Sequence, residues 1–195
     1  MRSIHFADPW QIAFYRGVAF TASIFFILLL QYRSSFFVSV KKIGYPGFFG
    51  GFLLMVTNLL FIQAIANTSI ANALFTLSSI PFITTFLAFI FLKEKLSLRT
   101  IIIMLFAIIG IFIMINEGLQ TGGFLGNLLA ILTAICFSGF AIVVRKYRSV
   151  DMLPTLLISG LLIVLITFFL NLGNFSITLR DLLLCFLWGG VLSGF

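Results

Sequence analysis

From Trp10 to Leu30 the chain reads WQIAFYRGVAFTASIFFILLL, an apolar stretch that carries a single charge, at Arg16. A helix needs about 20 mainly apolar residues to cross the hydrocarbon core of a bilayer. This stretch therefore predicts a transmembrane helix. Six more apolar runs follow: Gly50–Ile65, Ala71–Leu92, Thr100–Ile115, Phe124–Val144, Leu153–Leu172 and Leu182–Phe195. The last of them is too short to cross by itself. Of the 195 residues, 62% are hydrophobic and 9% charged. A soluble domain holds about 45–50% apolar and about 25% charged residues. The expected fold class is an all-α, polytopic helical membrane protein with about seven spans.

The charges give the orientation. Arg33, Lys41 and Lys42 follow the first run, Lys93, Lys95 and Arg99 the third, and Arg145, Lys146 and Arg148 the fifth. The intervening loops hold no basic residue except Arg180. Cytoplasmic loops collect Lys and Arg, so the three basic loops are expected inside and the N-terminus outside. The expected location is the cell inner (cytoplasmic) membrane.

Several function classes fall away. A net charge of +7 spread over short loops forms no nucleic-acid face. Cys136 and Cys185 both sit in apolar runs, which argues against a disulfide framework or a zinc site. One histidine and five acids leave little for metal or acid–base chemistry, so no catalytic residue, metal or cofactor is expected. A cleaved signal is not expected either, because the first run is too long and no cleavage-type segment follows it.

Sliding the chain along itself until Asp8 meets Asp151 also brings Gly17 onto Gly160 and Phe25-Phe26 onto Phe168-Phe169. The first and sixth runs then read as copies. They lie five spans apart, an odd number, so the copies run in opposite directions, as in the inverted repeats of secondary transporters. By this count the parent has five plus five helices. The chain is expected to lack the first helix and the last two and a half.

Within the spans, Gly126, Ala130, Ala134 and Ser138 place small residues at every fourth position, a helix-packing stripe. Arg16 lies about 9 Å past Trp10 along a helix. It either snorkels to headgroups, with Trp10 and Tyr15 as interfacial anchors, or meets an anionic group in a watery cavity. Asn58, Gln63 and Asn67 lie on the second run. Asn72, Thr76 and Ser79 make one polar stripe on the third, either interhelical glue or a cavity wall. Pro81 is expected to kink that helix and free backbone carbonyls. Glu94 reads first as a solvated acid at the cytoplasmic helix end.

Pro9 with Arg16-Gly17, the segment Ala64–Leu74 running into Ser79-Ile80-Pro81-Phe82, Phe91-Leu92-Lys93-Glu94-Lys95-Leu96-Ser97, Gly110, and Gly126–Ala130 through Arg145-Lys146 together carry a family resemblance. The chain resembles the EamA branch of the drug/metabolite transporter superfamily. The resemblance implies a ten-helix inverted-repeat carrier, often an exporter of small metabolites such as amino acids, working by alternating access. It implies a first repeat over residues 1–116 (spans 2–5) and the start of a second over 117–195 (spans 6–8). Residues matching Arg16, Pro81 and Glu94 recur in that family.

The expected site therefore comprises Arg16, Tyr15, Asn58, Asn72, Thr76 and Ser79, with Pro81 as the bend. The expected partners are the lipid bilayer and a small polar metabolite, with a homodimer left open and no nucleic acid. A non-transporting membrane scaffold or assembly subunit is the alternative. A lipid-modifying enzyme fits poorly, because no acid pair or activated nucleophile lies within reach of another.

Overall fold

The computed structural model describes residues 9–33, 36–95, 97–121, 123–171, 182–183 and 185. Among the described residues the chain is helical, with no strand: α1 (Pro9–Tyr32), α2 (Phe36–Lys42), α3 (Gly44–Asn67), α4 (Ile70–Leu77), α5 (Ile80–Leu92), α6 (Leu98–Thr121), α7 (Phe124–Lys146) and α8 (Leu153–Leu170). Among the described residues five segments are long and apolar enough to cross a membrane: α1, α3, α4 with α5, α7 and α8. α6 adds a shorter apolar stretch, Leu98–Gly110. The seventh apolar run, Leu182–Phe195, lies outside the described residues except for Leu182, Leu183 and Cys185.

Helix is the form that satisfies every backbone group where no water reaches, and burial is ordered accordingly. Phe26, Phe106 and Phe112 are exposed, whereas Thr76, Asn127, Ser138, Ser159 and Thr167 are fully buried. A lipid-facing surface takes the large apolar side chains, and the small polar ones go between helices. The chain is a polytopic helical membrane protein.

It divides into two compact units, residues 1–55 with 148–195 and residues 56–147, and α3 gives its first half to one and its second half to the other.

In the first unit α1 and α8 pack antiparallel. At one end the Tyr32 hydroxyl donates to the Asp151 carboxylate. At the other, Asn171 Nδ2 donates to the Trp10 carbonyl at 2.9 Å. Between them Gly17 faces Ile163 and Val164, while Gly160 faces Phe20 and Thr21. A Cβ on Gly17 would come within 2.7 Å of Ile163 Cγ2. When the chain is slid along itself so that Gly17 falls on Gly160, these two contacts are each other's image, and the crossing has local two-fold character. Ile24, Leu28, Phe36 and Leu157 form the apolar core beside it.

In the second unit the α7 stripe Gly126, Ala130, Ala134 and Ser138 is buried, and α4 and α5 pack on α7. Gly126 meets the Asn67–Thr68 backbone so closely that a Cβ would lie 2.6 Å from Thr68 N. Beside it the Thr68 hydroxyl donates to Asn127 Oδ1 at 2.9 Å.

Two features differ from the sequence expectation. α2 occupies what reads as a basic loop, and α3 begins at Gly44, well before the second apolar run opens at Gly50. Gly44 allows this: its φ of +53° turns the chain sharply between α2 and α3, where a Cβ would be strained.

Candidate functional site

The expected site residues fall in both units. Tyr15 and Arg16 belong to the first; Asn58, Asn72, Thr76, Ser79, Pro81 and Glu94 belong to the second.

α1 holds Arg16 half-buried, immediately before the Gly17 crossing. Its Nη1 is enclosed and has no hydrogen-bond partner among the described residues. A guanidinium at membrane depth is costly, about 2.5–3.5 kcal/mol at the helix centre on insertion scales. Among the described residues part of that cost is left uncompensated. Tyr15 packs its ring edge-on against Phe14 at 5.3 Å, and Phe14 meets Phe168 of α8 at 6.4 Å. The neighbours of Arg16 thus belong to the packed α1–α8 pair.

The third apolar run is divided at Ser78–Ser79, with Pro81 in the first turn of α5. There the missing proline N–H costs nothing. Some of the carbonyls just before the break accept from side chains. The Ser78 hydroxyl donates to Phe75 O and the Ser79 hydroxyl to Thr76 O, both at 2.6 Å. One turn earlier the Thr76 hydroxyl donates to Asn72 O at 2.9 Å. Thr76 and Ser79 are buried, and their hydroxyls serve their own backbone. Asn72, at the start of the same stripe, is half-buried. The cleft next to the break, about 180 Å³, is lined by Ser79, by Phe82, Ile83 and Phe86 of α5, and by Met104, Ala107 and Ile108 of α6. It is an apolar cleft.

α7 braces the break from the side. Ser138 Oγ accepts from the Thr84 hydroxyl at 3.0 Å and donates to the Ile80 carbonyl at 3.3 Å. The sequence shows Ser138 only as a small residue in a stripe; its partner depends on how α7 is rotated against α5. Ser138→Ala is expected to cost about 0.6–1.7 kcal/mol, the range for hydrogen bonds between membrane helices. Thermal unfolding in detergent measures it, and a Ser138→Ala variant as stable as its parent would remove the brace.

Glu94 is not merely solvated. Its Oε2 pairs with Arg145 Nη2 at 2.9 Å, tying the end of α5 to the end of α7. The Lys93 C-cap, at φ 55°, turns the chain so that Glu94 is delivered there. Both side chains are about half exposed, so the pair is worth about 0–1 kcal/mol. A double-mutant cycle with Glu94→Gln and Arg145→Gln should give a coupling below about 1 kcal/mol that shrinks with salt. Coupling unchanged at high salt would mean that the pair is shielded from water.

Asn58 is half-buried and engaged within the fold. Gln63 is legible in the sequence only as part of the polar load of its helix. Its Nε2 is a second enclosed donor without a partner among the described residues, and its backbone carbonyl accepts from Asn67 Nδ2 at 2.7 Å.

A family model, the EamA-like transporter family, matches residues 1–116. No curated protein and no solved structure matches the chain. The match spans the helices that carry Arg16, the divided span at Pro81 and the Glu94 turn. With more than half of its length so matched, the chain belongs to the EamA-like transporter family, whose members are membrane transporters of small molecules and not enzymes.

Proposed function

We propose that the chain forms the substrate-handling part of a secondary transporter of small polar metabolites such as amino acids, an exporter of the inner membrane working by alternating access. The observation that carries this reading is the enclosed Nη1 of Arg16 in a membrane-spanning helix, which has no hydrogen-bond partner among the described residues. An anionic group, such as a carboxylate, is the natural complement, because the guanidinium fork matches it bidentately. Tyr15 would flank that group, and Asn58 and Asn72 are proposed, within the second unit, as further polar contacts for the solute. Thr76, Ser79 and Pro81 act differently in this reading. Thr76 and Ser79 supply hydrogen bonds to the backbone before the interruption of the third span, and Pro81 opens the helix after it.

The repeat assignment, 1–116 and 117–195, belongs to the same proposal. It is supported by the image-related contacts of Gly17 and Gly160. Alternating access in such carriers is rocking of one repeat against the other.

The test is counterflow. The chain is reconstituted in vesicles loaded with unlabelled amino acids, and entry of labelled amino acid from outside is followed. Accumulation that exceeds that in protein-free vesicles supports the reading. Well-folded protein that gives no counterflow with amino acids or other small carboxylates points to the non-transporting scaffold.

A further inference from the structure

Beside the α1–α8 crossing, the first unit carries an open apolar groove of about 570 Å³ between α1, α2 and α8. Phe25, Phe36, Val40, Leu157, Leu161 and Val164 line it. It runs along α8 from Leu157 to Val164, a rise of about 10 Å, or a third of the roughly 30 Å hydrocarbon core. Phe36 and Val40 come from α2, the short helix that the sequence hides as a loop. The residues directly after Val40 are Lys41 and Lys42, both exposed in the last turn of α2. Arg33, exposed at the end of α1, adds a third cation to the same loop.

None of these three cations has an ion-pair partner among the described residues. The acid at this end of the unit, Asp151, is already engaged: one oxygen accepts from Tyr32 and the other from Leu153 N at 3.0 Å. The apolar groove and the uncompensated charge thus share one short helix.

We propose that this groove seats one acyl chain of an anionic phospholipid whose headgroup phosphate rests on Lys41 and Lys42. The proposal is independent of the transported solute. Charge complementarity selects the occupant. An apolar groove alone would take any lipid, but the two lysines that follow Val40 in the last turn of α2 favour a headgroup with net negative charge, each by about 1 kcal/mol, or roughly fivefold.

The test uses the whole chain carrying Leu161→Trp, in vesicles of phosphatidylcholine with graded phosphatidylglycerol. Acyl-brominated forms of each lipid are compared as quenchers, and quenching of the parent chain is subtracted. The expected result is a roughly five- to twentyfold preference for phosphatidylglycerol at the introduced indole, reduced to near unity by Lys41→Gln with Lys42→Gln. Those lysines are exposed and have no ion-pair partner among the described residues, so the double variant keeps the fold, and circular dichroism verifies it. Equal quenching by the two lipids overturns the proposal. So does a preference that survives loss of both lysines, because the headgroup would then be held elsewhere.

Discussion

Arg16→Ala is expected to abolish most transport while leaving the fold as stable as before, or more so. The two halves of that expectation come from one observation, the enclosed Nη1 without a partner among the described residues. Hydrogen bonds to charged groups are worth about 1.5–3 kcal/mol, so removing the guanidinium from a bound anion costs about ten- to a hundredfold in counterflow. Without substrate the same group is a liability at membrane depth, and its removal relieves part of an insertion cost of about 2.5–3.5 kcal/mol. Arg16→Lys keeps the charge and loses the planar fork, so it should recover part of the flux. A snorkelling anchor behaves differently: alanine would leave flux intact, and lysine would be silent. Vesicle counterflow read together with thermal unfolding separates the two. Flux and stability falling in parallel would assign Arg16 to structure.

Gly126→Ala should be among the most destabilising single methyl additions in the chain. The added Cβ would lie 2.6 Å from Asn67 C and Thr68 N, which are backbone atoms and cannot rotate away. Relief requires moving the turn between α3 and α4, which breaks the Thr68–Asn127 hydrogen bond of 2.9 Å. Overpacking of this kind costs about 1–3 kcal/mol, and the lost bond adds about 0.6 kcal/mol. Gly110→Ala is the control. Its nearest neighbour would be Phe75 Cζ at 3.7 Å, an ordinary contact, so replacing a mid-helix glycine there should be neutral or stabilising by about 0.5–1 kcal/mol. Unfolding of both variants in detergent measures the difference. Two equal values would mean that the α7 approach is looser than described.

The spans are legible in the sequence because length and charge are one-dimensional signals. A run such as Phe124–Val144 announces its helix wherever it packs, and the basic loops mark its ends. What stays hidden depends on rotation about the helix axis. Helices apolar on every side carry no periodic mark of the face that packs, so the Thr68–Asn127 and Thr84–Ser138 pairs cannot be read. The α7 stripe is the exception, since small residues at every fourth position carry a direction. Pro81 is visible as an interruption. That Ser78, Ser79 and Thr76 turn inward to feed the neighbouring carbonyls is not, because a serine can equally serve a cavity or its own helix. Arg16 and Gln63 stand out by residue type, and only the fold shows which of their donors lack a partner among the described residues. α2 escapes the sequence because Arg33, Lys41 and Lys42 mark a loop by charge, while Phe36 and Val40 shape it by packing.

The most direct test of the central claim is accessibility at Arg16. Arg16→Cys, in a chain whose Cys136 and Cys185 are replaced by serine, is exposed to a membrane-impermeant thiol reagent from each side of sealed vesicles. A carrier with Arg16 at its substrate site should label from the aqueous phase, and an amino acid that supports counterflow should slow that labelling. An introduced thiol that reacts from neither side, with or without solute, would contradict the account and leave Arg16 as a residue of the packed interior.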